Sequence, residues 1–135
     1  MSGQVMSGRG GSRVICYVPN LMDRSRISAG VPGAAFVASP EDLVERVAET
    51  QRDHPSDRVL VVVDLDRPGV IEAIEGLTGH GPGVIGFGSH VARDTLSAAT
   101  AAGCRAFPRS ELFRRLSEGI ENLALSDGRE PRRFR

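Results

Sequence analysis

Lysine is missing altogether: all 17 basic residues of this 135-residue chain are arginine. No step that needs a lysine amine can therefore take place on it. Tryptophan is also missing, there is one tyrosine, and aromatic residues make up only 4%. That leaves little surface on which bases could stack and argues against RNA or single-strand binding. Basic and acidic residues balance to a formal net charge of zero, so no global field draws the chain to nucleic acid or an acidic membrane. The two cysteines are isolated, Cys16 inside an apolar run and Cys104 after a glycine. Without a C-x-x-C pair or a secretory leader they read as buried, reduced thiols, and a cytoplasmic location is expected. No apolar run reaches the length of a membrane span, so no membrane contact is expected.

What is present has a regular order. Residues 1–12, MSGQVMSGRGGS, are small and polar and are expected to stand outside the core as a flexible segment. Residues 126–135, SDGREPRRFR, form a charged tail interrupted by Pro131. Between them, residues 13–125 alternate apolar strand-like runs with helical patterns. Strands are expected at 13–18, 34–38, 58–64, 83–87 and 105–107. The third and fourth are continuous apolar runs, which suits burial on both faces of a parallel sheet.

The helical segments carry start and stop signals. Ser39 is a cap candidate ahead of Pro40, with Glu41 and Asp42 in the first turn, and Leu43, Val44, Val47 and Ala48 at helical spacing. Val70, Ile71, Ile74 and Leu77 mark the next helix, which meets Gly79 and Gly81. An alanine-rich helix ends at Gly103. A last one is expected to start near Ser110 and to run through Leu112, Phe113, Leu116, Ile120 and Leu123. Strict alternation with right-handed crossovers gives a three-layer, doubly wound (βα)5 domain of flavodoxin-like type, with strand order 2-1-3-4-5. Ligands of such folds sit beyond the carboxyl ends of the strands.

Three local stretches then carry a resemblance. VVVDLDRPG, GVIGFGSHVA and AAGCRAFPRS follow one another in the order and spacing of the receiver domain of two-component response regulators, the CheY-like family. The chain resembles that family over residues 13–124. The resemblance implies a phosphoacceptor at Asp64, a magnesium ion held by an acidic pair after strand one, a Ser or Thr after strand four and a Lys after strand five. The sequence departs from three of these. Strand one ends in YVPN with no carboxylate, Gly88 stands at the Ser/Thr position with Ser89 beside it, and Ser110 stands at the Lys position beside Arg109. Helix one, NLMDRSRISAG, also looks short. Mg²⁺ requires hard oxygen ligands in an octahedral array, and here it lacks them. The resemblance therefore implies a degenerate receiver, or pseudo-receiver.

Two readings of Asp64 stand side by side. In one it is a phosphoacceptor, with Asp23 and Asp66 replacing the missing metal ligands. In the other it closes the strand end, accepting hydrogen bonds from loop amides or pairing with Arg24 or Arg109. Asp66, ahead of Pro68-Gly69, reads equally as a solvent-facing turn residue. Asp23, Arg24, Asp66, Ser89, His90, Arg109 and Ser110 make up a rim that could also clamp an anion or nucleotide. The glycines around GHGPGVIGFG precede and span strand four instead of following a strand into a helix, so a dinucleotide loop is rejected. No histidine shares a metal-ligand spacing with a cysteine, and no G-x-S-x-G elbow supports a hydrolase.

The expectation is a stand-alone pseudo-receiver in bacterial signal transduction, acting through protein contacts, with no enzymatic step and no cofactor. A homodimer through the helix 4–strand 5–helix 5 face is one form such contact could take; Ser97, Thr100, Arg105, Arg114 and Arg115 would decorate that face. A small-anion or nucleotide-binding regulator is the alternative.

Overall fold

Residues 11–78, 81–88 and 93–125 are described by a computed structural model. Five strands, β1 (Ser12–Tyr17), β2 (Ala35–Phe36), β3 (Arg58–Asp64), β4 (Gly83–Gly88) and β5 (Arg105–Pro108), form one parallel sheet in the order β2-β1-β3-β4-β5. Helices α1 (Leu21–Gly30), α2 (Pro40–Asp53), α3 (Val70–Thr78), α4 (Arg93–Ala101), α5 (Arg109–Arg115) and α6 (Ile120–Leu125) complete the crossovers. This is the flavodoxin-like α/β architecture.

Side-chain alternation along the strands divides the core into two layers. Val14, Cys16, Leu60, Val62, Ile85 and Phe87 face one way and pack with residues of α1, α5 and α6. Ile15, Tyr17, Val61, Val63 and Val84 face the other way and meet α2, α3 and α4. Burial on both faces explains why β3 and β4 read as unbroken apolar runs. The helix α2 begins as its sequence dictates, with the Ser39 hydroxyl accepting from the Asp42 amide and Pro40 in the first turn. Its inner stripe is Leu43 and Val47 with Val44 half-buried, while Ala48 is exposed.

Several expectations are corrected. Ser12, placed outside the domain by composition, pairs with Arg58 as the first residue of β1. The helix α1 is a full ten residues, because the Asn20 side chain accepts from the Asp23 amide and caps it. The second strand is only two residues long, although the Val37 amide still reaches the Cys16 carbonyl. The last helix is two. It passes through a 3₁₀ turn, Leu116–Glu118, and breaks at Gly119, whose φ of 100° favours glycine. Ser110 does not cap it: α5 starts at Arg109 directly after Pro108, with no side-chain cap. The charged tail, residues 126–135, lies outside the described residues.

Both cysteines are buried and unpaired with each other. Burial pushes each thiol up to about 12, which keeps them in the unreactive protonated form at neutral pH. No described helix is long and apolar enough to cross a membrane.

Candidate functional site

The carboxyl end of the sheet gathers the residues singled out from the sequence, and β3 supplies the central one. Asp64 ends that strand in register with Phe87 of β4 and is 1% exposed. Alternation sets it on the same face as Leu60 and Val62, toward α1 and α5. Each of its oxygens has a partner. Oδ1 accepts from the Asp66 amide at 3.0 Å, and Oδ2 accepts from Arg67 Nε at 3.2 Å. The Asp64 carbonyl also accepts from the Arg67 amide at 3.3 Å. One short peptide, Asp64 to Arg67, thus wraps around its own carboxylate, which acts as the knot of the β3–α3 turn.

Leu65 follows with its amide on the Phe87 carbonyl at 2.7 Å, extending the β3–β4 ladder. Its side chain crosses β4 where Gly86 has none. A Cβ at Gly86 would lie 2.7 Å from Leu65 Cδ2 and 2.9 Å from Cys104 Sγ. The glycines of this segment therefore serve close packing. Gly69 completes the turn at a φ of 83°, and Asp66 at its tip is exposed.

A second acid is buried nearby. Asp23, in the first turn of α1, is 2% exposed, and Arg109 Nη1 donates to both of its carboxylate oxygens. Arg109 comes from the first position of α5, and its guanidinium also rests 5.6 Å from the centre of the Phe87 ring. The pair thus joins two elements 86 residues apart over the residue that registers with Asp64. Arg24 donates from Nε to the Val18 carbonyl at 2.8 Å and lies over Phe36.

These contacts reassign the partners expected from sequence. Asp64 pairs with Arg67, which sequence reasoning passed over, and not with Arg24 or Arg109. Arg109 is committed to Asp23. Asp23 does reach the rim, so a carboxylate is present near the place left empty by YVPN, but it is already matched by a cation. Ser110 is exposed within the first turn of α5, and Ser89 and His90 lie outside the described residues.

The donor set does not fit Mg²⁺. After β1 stand Val18, Pro19 and Asn20; Asn20 Oδ1 is engaged with the Asp23 amide, Asp23 is occupied by an arginine, and both oxygens of Asp64 are engaged within the turn. Among the described residues no three His, Cys, Asp or Glu side chains come together as a metal site. Arg109 and Arg67 are paired with Asp23 and Asp64, so an anion at either would compete with that acid, whereas Arg24 is held by the Val18 carbonyl through Nε and has no carboxylate partner among the described residues.

Open recesses of about 770 and 470 Å³ lie at the opposite, amino-terminal end of the sheet, where His54 and Asp57 line both. There Arg13, 2.6 Å from Asp57, holds that carboxyl below its ordinary range, helped by the Gly11 amide. The cluster fastens the start of β1 to the α2–β3 loop.

No protein-family model matches the chain, and no curated protein matches it in sequence. Among solved structures, it is similar to the crystal structure of a Burkholderia pseudomallei protein named "Putative pilus assembly-related protein". The two share 14% identity with a TM-score of 0.60, over 87% of this chain and 91% of that one. The likeness is one of fold, and it places the chain among flavodoxin-like α/β domains.

Proposed function

We propose that this chain is a pseudo-receiver: a receiver-shaped adaptor that works in the cytoplasm by protein contact, without phosphotransfer and without a catalytic step of its own. The observation that carries this reading is the engagement of both Asp64 oxygens inside the β3–α3 turn. A nucleophilic carboxylate must be accessible and must be joined by a metal that gathers the phosphoryl oxygens. Asp64 is 1% exposed, each of its oxygens already accepts a hydrogen bond inside the turn, and the second acid of the rim is paired with Arg109. Fold similarity to a protein whose name links it to pilus assembly fits a setting in which such an adaptor would serve. Ser97, Thr100 and Arg114 are exposed, and Arg105 and Arg115 half-buried, on the α4–β5–α5 face, one place for a contact between two copies.

Incubation with acetyl phosphate and Mg²⁺, read by intact mass, tests the reading. No acyl phosphate is expected on the wild-type chain. Stoichiometric, hydroxylamine-labile phosphate that disappears in Asp64→Ala would overturn it.

A further inference from the structure

The start of α1 presents an apolar surface that is exposed among the described residues. Leu21 and Met22 are 73% and 76% exposed, the large apolar side chains left in solvent among the described residues. Their neighbour Asp23 is buried on Arg109, so the helix turns its one acid and Ile27 inward and leaves Leu21 and Met22 outward. Helical spacing sets Met22 beside Arg26 at i+4 and Leu21 beside Arg24 at i+3.

Both arginines are held in place by aromatic rings. The Arg26 guanidinium lies 4.8 Å from the centre of the Phe113 ring, and that of Arg24 lies 5.4 Å from that of Phe36. Arg24 is fixed further by the Val18 carbonyl through Nε alone. No described carboxylate pairs with either. The result is one ring-stacked guanidinium on each side of the exposed Leu21 and Met22 pair, residue types that protein interfaces favour.

We infer that the face of α1 formed by Leu21, Met22, Arg24 and Arg26 docks an acidic protein segment that carries an apolar anchor. The inference rests on the contact-based function proposed above and names where that contact is made and with what chemistry. Charge selects this occupant. With Asp23 committed to Arg109, the face is cationic, and a second copy related by a twofold axis would set like charges against each other. The chain ends do not complement it either. Residues 126–135 hold Arg129, Arg132, Arg133 and Arg135 against Asp127 and Glu130, and residues 1–10 hold Arg9 with no acid. Carboxylates match the fixed forks in a planar, bidentate way. A lipid phosphate could take the same forks, but the zero net charge of the chain supplies no field toward an acidic membrane, which favours the protein segment.

The test is selection of peptides from a random library displayed on phage against the full chain, followed by titration of a selected peptide into the ¹⁵N-labelled protein. The expected consensus combines Asp or Glu with a large apolar residue, and the peptide is expected to shift the amides of Leu21–Arg26. Binding is expected to weaken about tenfold or more in Leu21→Ser/Met22→Ser and in Arg26→Glu, and to fall as salt rises. Both variants alter exposed positions, and an unchanged thermal midpoint checks that they fold. A consensus without acids, binding indifferent to the α1 variants, no selected peptide, dimerisation that depends on Met22, or tighter association with phosphatidylglycerol vesicles than with peptide would each overturn the inference. Peptides that bind elsewhere on the chain would leave the contact-based function standing, whereas a phosphorylated Asp64 would remove that function first.

Discussion

Gly86→Val is expected to be among the most damaging single substitutions in the chain, costing about 3 kcal/mol or more, with Gly86→Ala costing ~1–3 kcal/mol. The cause is space and not backbone conformation. Gly86 lies in the middle of β4 without a positive φ, but its missing side chain admits Leu65 from the turn after β3 and Cys104 from the approach to β5. A Cβ there would stand 2.8 Å from Leu65 Cγ and 2.9 Å from the cysteine sulfur. Neither neighbour can withdraw easily, since Leu65 is 4% exposed and its amide is tied to β4, and Cys104 is 4% exposed. Because a domain of this size is stable by only about 5–15 kcal/mol, the valine variant should unfold at visibly lower urea. Gly76→Ala is the built-in control. A Cβ at that helical glycine meets nothing within 4 Å, so the substitution should stabilise by about 0.5–1 kcal/mol. Combining Gly86→Ala with Leu65→Ala should cost less than the sum of the two single changes, the signature of a shared volume. Equal, small effects at residues 76 and 86 would contradict this packing.

Breaking the Asp23–Arg109 pair is expected to produce the next largest loss, and an asymmetric one. Arg109→Ala strands a carboxylate that is 2% exposed, and uncompensated buried charge costs about 3–5 kcal/mol. Asp23→Ala strands an arginine whose side chain is 28% exposed; water can reach it, so the cost should be nearer ~2 kcal/mol after that screening. A cycle of the two single variants and the double variant, followed by urea unfolding, should return a coupling of about 1–3 kcal/mol. The double variant should be more stable than Arg109→Ala alone, because the buried acid is then gone. Additive effects, or Asp23→Ala worse than Arg109→Ala, would mean that the pair does not lock α1 to α5.

Why the fold was largely readable and the site only partly so follows from the range of the interactions. β3 was placed to the residue, Arg58–Asp64, because a run buried on both faces ends where the first acid meets the carboxyl end of the sheet. The start of α2 was equally plain, since Ser39, Pro40 and the acids of its first turn are neighbours in sequence. The end of the chain misled for a local reason. Leu112, Leu116, Ile120 and Leu123 keep helical spacing across the break, so periodicity alone hides the 3₁₀ turn and only Gly119 marks it. In the site, the closure of Asp64 by a loop amide is the reading the sequence supported, and the Asp66 amide makes it; Arg67, three residues on in DLDR, and the Asn20 cap in NLMD were available and passed over. The partner of Arg109 was not available in that way. Asp23 lies 86 positions upstream, and only the 2-1-3-4-5 strand order brings the first turns of α1 and α5 to the same end of the sheet.

The central claim is that Asp64 is kept for structure. The difference in unfolding free energy between the wild-type chain and Asp64→Ala tests it most directly. If the carboxylate closes the β3–α3 turn, its removal frees the Asp66 amide and the Arg67 guanidinium, and stability should fall by about 1–3 kcal/mol. A variant as stable as the wild type, or more stable, would contradict the account, for that is how a carboxylate held for chemistry at the expense of stability behaves.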